Sequence, residues 1–426
     1  MTTVTVAGAD GKTIHLDYTS SASVAIAKQL AAAITAGVDD GAIIPFQSTG
    51  GPPPSLPPGK TGEFIQSTDG VTILPHGYDA LVVTAQDAVV FGSGDANEKV
   101  LSSTGNLTFF ATGGSGSIAA GGGNNSFIIP VSDNGNWLIA GGNGNDFFQA
   151  LGGGNDTIEA GSGGNSIILG GGSDLVQSSG DDSILAGSGP ATIAAIGNAN
   201  DLIYGGSGTL LFVGGAGSAT ILGGRGSETV FGGAGTMFVS GGSNGHNMLF
   251  AGTGAATLIG GGDDDELFAN GSQAQSLRAA GGNETLFAGF ASGSVTLQAG
   301  SGHDQLIAGL GNETLIAGTG SATMTGGFGN DRFAFIKGEA GGTDLLLNFT
   351  GQDKVDLIGY GSNAVSDALK TQKVADGSVT ITLADNTKIT FAGITSLTRS
   401  DFVTNGDGSL GHHHWDDPNH WHGHGH

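Results

Sequence analysis

Residues 141–149 read GGNGNDFFQ, residues 151–159 read LGGGNDTIE, and the same nine-residue phrase returns down the chain. AGSGGNSII starts at Ala160 and LGGGSDLVQ at Leu169. AGSGPATIA, GGAGSATIL, GGRGSETVF, AGTGAATLI, GGGDDDELF, AGSGHDQLI, AGLGNETLI and AGTGSATMT follow, and GGFGNDRFA closes the series at Ala334. A few units are eight or ten residues long. Self-similarity at a fixed short period is the signature of a stacked architecture, in which each repeat contacts only its neighbours.

Each column of the repeat has a physical reading. The eighth place is apolar: Phe148, Ile158, Ile167, Val176, Ile184, Ile193, Ile203, Ile221, Val230, Leu258, Leu267, Leu306, Leu315, Met324 and Phe333. One repeat cannot bury such a residue, so the stack is the stable unit. The seventh place is often Thr, as at Thr157, Thr192, Thr220 and Thr229, which suits the outer face of a strand. With two repeats per coil and about 4.8 Å between stacked strands, residues 141–334 predict a rod of roughly 50 Å. The fold class expected is all-β: a parallel β-roll or β-solenoid with a small N-terminal α+β appendage and a C-terminal β cap.

The sixth place carries the chemistry. It holds Asp146, Asp156, Asp174, Asp182, Asp201, Asp265, Asp304 and Asp331. Glu stands there at Glu228, Glu284 and Glu313, and Asn at Asn165 and Asn247. Ala191, Leu210, Ala219, Met237, Ala256 and Ala322 break the series. The 426-residue chain has 38 Asp+Glu against 13 Lys+Arg, a formal net charge of −25. Such a surface repels nucleic-acid phosphates and anionic lipid. Oxygen-seeking cations are its natural counter-charge, Ca²⁺ above all.

This repeat is similar to the G-G-x-G-x-D-x-U-x motif of RTX proteins, the hemolysin-type calcium-binding family. The resemblance implies Ca²⁺ held between neighbouring coils by the glycine-rich turns and the eight sixth-place aspartates named above. Ala, Leu and Met cannot ligate calcium, so two calcium-loaded flanks, 141–205 and 260–334, are expected around a metal-poor centre whose turns rest on backbone hydrogen bonds and packing. The rival expectation is a glycine-rich solenoid that has lost calcium altogether.

Outside the repeat, TVTVA and TIHLDY flank Asp10-Gly11 as a hairpin, and residues 22–36 predict a helix capped by Ser20 or Ser21 and ended by Gly37. That helix needs a surface for Val24, Ala27, Leu30 and Ile34; the hairpin, the rest of the chain or another molecule can supply it. The expected organisation is a hairpin–helix unit at 1–46, a linker at 47–62 stiffened by five prolines, and a divergent solenoid segment at 63–140. The β-roll follows at 141–337, and then a C-terminal cap at 338–404. The last of these, with GGTDLLLNFTGQDKVDLIGYG, looks like the segment that follows the repeats in RTX exoproteins, serralysin-type peptidases among them, and the resemblance implies a type I secretion signal there. An extracellular or cell-surface location fits the missing N-terminal signal peptide and the absence of cysteine.

The tail at 405–426 ends in GHHHWDDPNHWHGHGH, dense enough in imidazole to bind Zn²⁺, Cu²⁺ or Ni²⁺. No HExxH occurs, no G-K-[ST] loop has phosphate-binding spacing, and the G-x-S-x-G at 241–245 lies inside a repeat rather than on a strand–turn–helix. His15, His76, His246 and His303 lack ligand spacing, and no apolar run reaches 18 residues. The function expected is that of a secreted calcium-binding structural protein of a bacterial surface or matrix, self-assembling as a homo-oligomer or fibre in an S-layer or biofilm. Two alternatives stand: a non-polymerising adhesin or other ligand-binding solenoid contacting a surface or matrix glycan, and an enzyme with an unrecognised site in 1–140.

Overall fold

A computed structural model describes residues 1–262 and 264–403. The His-rich tail lies outside these, so the expectation of metal binding there is not addressed by the fold. From Ile43 to Ile358 the chain winds as a β-solenoid of two parallel sheets. In sheet I, parallel pairing runs in a line from Ile43–Gln47 through Thr61–Gln66 and Ala80–Val83 to Thr343–Leu347. Sheet II has 16 strands, from Gly70–Ile73 to Lys354–Ile358. At about 4.8 Å per rung that sheet is roughly 70 Å long.

The core is the space between the sheets, filled by the eighth-place column. In sheet I, Ile139 pairs with Ile158, which pairs with Val176 and then Ile193. In sheet II, Phe148, Ile167, Ile184 and Ile203 stack in the same way. Every one of the fifteen expected core residues is at most 1% exposed. Burying a branched side chain completely contributes roughly 1.5–3 kcal/mol relative to leaving it in water, and the column repeats this at each coil. The glycine turns set how closely coils stack. A Cβ at Gly208 would collide with the Gly189 carbonyl of the preceding coil, so lack of space rather than a positive φ demands glycine there.

The same two sheets extend well before the regular repeat. Gly70–Ile73, Asp87–Phe91, Asn106–Phe110 and Ser126–Ile129 are successive rungs of sheet II, in register with Phe147–Ala150. The expected boundary at 46/47 falls at the end of a strand, because Ile43–Gln47 already pairs with Thr61–Gln66. Residues 48–60 are thus the return path of a first coil that lacks a sheet II strand. They are docked rather than free: the Tyr78 hydroxyl donates to the Pro54 carbonyl at 2.9 Å, and Leu56 packs on the core.

The hairpin β1 (Thr2–Ala7) and β2 (Thr13–Tyr18) turns at Asp10 and Gly11, both with positive φ. Helix α1 (Ser21–Asp39) is N-capped by Ser20, whose Oγ accepts from the Ser23 N–H at 3.2 Å. It runs two residues beyond Gly37 instead of ending there. Ile43 packs where a Cβ at that position would stand, so the glycine makes room for a neighbour and does not terminate the helix. The partner surface is the chain's own: Ala27, Leu30, Ala31 and Ile34 share a core with Val4, Val6, Leu16 and the outward-facing Ile65, Ala80, Val82, Leu101 and Ala119 of sheet I. Thr19 Oγ1 donating to the Gly121 carbonyl at 2.7 Å fixes the approach. By length and composition α1 is apolar enough to cross a membrane; here its apolar face lies on the sheet.

At the other end, Lys388–Phe391 adds to the edge of sheet I beside Thr343–Leu347 and turns back through Ser378–Thr382 and Lys373–Ala375. The Asp385-Asn386 hairpin places Asn386 at φ 72°. Helix α2 (Ala364–Lys370) packs against this hairpin. Over sheet II, the Val403 N–H donates to the Val355 carbonyl at 2.9 Å. Edge strands of the last coil are therefore covered, which removes a template for unwanted pairing.

Candidate metal centre

The sixth residue of each repeat points inward at the turn, and its stacking makes two columns of polar side chains. All eight aspartates expected as ligands are buried, between 0% and 4% exposed. The columns are hydrogen-bonded ladders. In sheet II, Asp146 Oδ1 accepts the Asn125 N–H (2.6 Å), Asn165 Oδ1 the Asp146 N–H (2.8 Å), Asp182 Oδ1 the Asn165 N–H (2.9 Å) and Asp201 Oδ1 the Asp182 N–H (3.3 Å). In sheet I, Asp156 takes the Trp137 N–H and Asp174 the Asp156 N–H. Farther on, Asp265 takes the N–H of Asn247, Asp304 that of Glu284 and Asp331 that of Glu313.

In each aspartate one oxygen is engaged by the ladder, and the fate of the remaining oxygens divides the set. The second oxygens of Asp146, Asp182 and Asp201 are buried with no hydrogen-bond partner, as are both oxygens of Glu284 and one of Glu313. Asp265 instead turns its second oxygen to the N–H groups of Gly261 and Gly262, and Asp304 to Gly300. Glu228 is closed in the same way by Gly224 and Gly242.

Desolvation pushes these acids up: Asp146, Asp156 and Asp331 to about 7 and Asp201 to about 6, while Asp174, Asp182, Glu284 and Glu313 are also raised, burial being the main cause for each. A buried carboxylate oxygen without a partner must be met by a proton or a cation. The donors are carboxylates and turn carbonyls, all hard oxygens, which is the set that Ca²⁺ takes. Among the described residues no three His, Asp or Glu side chains converge as a ready-made metal cluster. A cation here would rest on one or two carboxylates completed by backbone oxygens.

The centre is built differently. Where the next coil carries Ala, Leu, Met or Val at the sixth place, the N–H that would meet a carboxylate donates to the fifth-place carbonyl. Asp174 donates to the Pro190 carbonyl, Ala191 to Thr209, Asp201 to Ser218, Ala219 to Thr236 and Met237 to Ala255, at 2.8–3.0 Å; Leu210 likewise donates to Ser227 although Glu228 follows it, because the Glu228 oxygens are taken by Gly224 and Gly242. The turns there are held coil to coil by backbone hydrogen bonds.

Three features escaped the sequence reading. A second ladder runs outside the first through fifth-place residues: Asn145 Oδ1 accepts from Gly164, Asn155 Oδ1 from Ser173, Asn200 Oδ1 from Ser218 and Asn312 Oδ1 from Asn330. The recurrent Asn before the sixth place was its visible signal. The inner column also starts early, with Glu98 and Asn125, and ends late, with Asp344 and Asp353. Glu98 binds Ser93 Oγ and the Gly94 N–H, both at 2.8 Å. Asp344 and Asp353 take the N–H groups of Ala322 and Asp331, each at 2.8 Å. Of the histidines, His76 pairs with Asp95 at 2.8 Å on the surface.

A family profile for the RTX calcium-binding nonapeptide repeat matches residues 141–176, 151–185, 211–236, 241–272, 278–315, 292–324 and 308–334. No curated protein matches the chain. The match reaches into the centre because glycine turns and the apolar column persist there where most sixth-place acids do not. Periodicity, buried carboxylate ladders and profile agree that residues 141–334 carry repeats of the RTX calcium-binding nonapeptide type.

Proposed function

We propose that this chain is a secreted structural protein of a bacterial surface or extracellular matrix, held rigid by calcium and able to associate with copies of itself. RTX repeats bind calcium, and proteins that carry them are typically secreted. The observation that carries the structural reading is that the appendages complete the rod. The hairpin and α1 cover the outer face of sheet I, the proline-rich segment closes the first coil, and the C-terminal hairpin covers the last one. Nearly all of the described chain builds one long object.

Self-association is supported by an asymmetry between the ends. The last coil's strands gain neighbours in Lys388–Phe391 and Phe402, whereas the first strand of sheet II, Gly70–Ile73, pairs on one side only and leaves Val71 and Ile73 exposed. An uncharged, unprotected edge strand is a template for pairing with a second chain. Light scattering and electron microscopy of the full chain in millimolar calcium test this. Particles larger than a monomer that revert to monomers on Val71→Lys or Thr72→Pro are expected. Monodisperse monomers of the unaltered chain at every calcium concentration would sink the assembly reading and leave the calcium roll untouched.

A further inference from the structure

The inner column does not end with the last matched repeat at Ala334. Ten residues later Asp344 occupies the ligand place of the final coil of sheet I, where its Oδ1 accepts the Ala322 N–H at 2.8 Å. Asp344 is fully buried, and its Oδ2 has no hydrogen-bond partner. None of the ion pairs among the described residues involves it.

What faces Asp344 on its far side is not another glycine turn but the capping hairpin. Thr343 pairs with Lys388 and Asp344 with Ile389, which brings Thr387 to the same end of the strand. Thr387 is 1% exposed, and its hydroxyl also makes no hydrogen bond of normal geometry. Beside it lies the Tyr360 phenol, bonded to Asp385 Oδ2 and held protonated chiefly by burial and by Asp385, with Asp344 adding a smaller push in the same direction. The other Asp385 oxygen accepts the Thr387 N–H at 3.2 Å. Two buried oxygens without partners thus stand on the inner face of adjacent strands, and the polar groups around them are carboxylates, a hydroxyl and a phenol. A hard cation satisfies them together, where a proton on Asp344 satisfies at most one.

We propose that Asp344 and Thr387, backed by the Tyr360–Asp385 pair, hold one further calcium ion that clamps the capping hairpin to the last coil. Asp353 is the internal control. It stands at the equivalent place in sheet II, but its second oxygen is taken by the Thr350 N–H and Oγ1 at 2.7 and 3.0 Å. It has nothing left to offer an ion.

The test counts tightly bound calcium on the full chain by native mass spectrometry, with amide exchange over residues 373–403 as a second readout. Asp344→Asn keeps the Oδ1 that accepts from Ala322. It should bind one ion fewer than the parent, with cap amides exchanging at least tenfold faster, and Thr387→Val should release that ion at lower chelator concentration. Asp353→Asn should keep the full count. An unchanged count in Asp344→Asn overturns the proposal. If that variant's cap fails to form at saturating calcium, terbium bound to the parent decides. Emission sensitised through tyrosine should drop in Tyr360→Phe at equal terbium content, and no drop refutes the site. Neither readout depends on whether the rods associate.

Discussion

Calcium-free protein should grow more stable as the solution is acidified from pH 8 to pH 5, the reverse of ordinary acid denaturation. Asp146 shows why. Its Oδ1 is bound by the Asn125 backbone and side chain at 2.6 and 3.0 Å, while its Oδ2 is buried and bare. Burial raises its pKa from 3.8 to about 7. Between those two values the folded chain holds a proton that the unfolded chain has released. Stability from this group is therefore complete below the unfolded pKa and is lost as pH rises through the folded one. Integrating the linkage from pH 8 to pH 5 gives a gain of about 2.5 kcal/mol for this residue alone. Asp156 and Asp331, with the same displaced value, act in the same direction.

Urea unfolding followed by far-ultraviolet circular dichroism in excess chelator, at half-unit pH steps, measures the effect. The midpoint should climb as pH falls from 8 to 5, and Asp146→Asn should flatten the climb. Saturating calcium should reverse the trend, since an ion favours the ionised carboxylates and is displaced by protons. Calorimetric titration near pH 6.5 should accordingly show proton release on calcium binding. A chelated protein whose midpoint falls on acidification, or an Asp146→Asn variant with the parent's slope, would refute the assignment of the column as buried, protonatable ligands.

Other outcomes follow from the stack. Asp201→Asn should lower calcium affinity while leaving the sheet register intact, and calcium-site density should be absent at the turns around Ala219, Met237 and Ala256; ions spaced evenly along the rod contradict this. Ile184→Ala removes a fully buried rung of the core and should cost about 2–5 kcal/mol in the urea midpoint at saturating calcium. Gly208→Ala should cost about 1–3 kcal/mol, because the new methyl meets the Gly189 carbonyl and the coils must part. Ile34→Asp places a charge under α1 and should expose Lys28 to trypsin within minutes while the rod stays protected.

The repeat's chemistry was legible because two columns recur at a period close to nine. The eighth-place residues named from sequence are the core, and the sixth-place residues are the buried polar ladder. The limits of the roll were not legible by the same rule. Between Glu98 and Asp156 the sheet I ligand column holds Gly116 and Trp137, neither of which resembles a ligand, so the early coils hide a register that backbone pairing preserves. After Asp331 the next two members of the column, Asp344 and Asp353, arrive at spacings of thirteen and nine residues, and the longer turn masks the first. Helix α1 passing through Gly37 is a tertiary effect: Ile43 comes from a strand whose position local sequence does not encode.

The metal-poor centre explains how one rod can carry two kinds of turn. Each sixth-place N–H must be satisfied because it is buried, and two acceptors lie within reach of it: the carboxylate or amide of the next coil, or the carbonyl one residue earlier. Asp201 shows both at once, taking the Asp182 N–H on its own Oδ1 and giving its own N–H to the Ser218 carbonyl. The switch changes no strand register: Ile203 pairs with Ile184 across the carboxylate turn and with Ile221 across the backbone turn, eighth place to eighth place in both. Substituting Ala for Asp therefore removes a ligand and a buried charge together and leaves the stack continuous. On this reasoning the centre needs no calcium to fold, whereas the flanks include carboxylates, Asp146, Asp182 and Asp201 among them, whose bare oxygens call for a proton or a cation. A chain built this way should gain order from its middle outward as calcium is added, with the Asp146–Asp201 coils and the Asp344 cap the last to close.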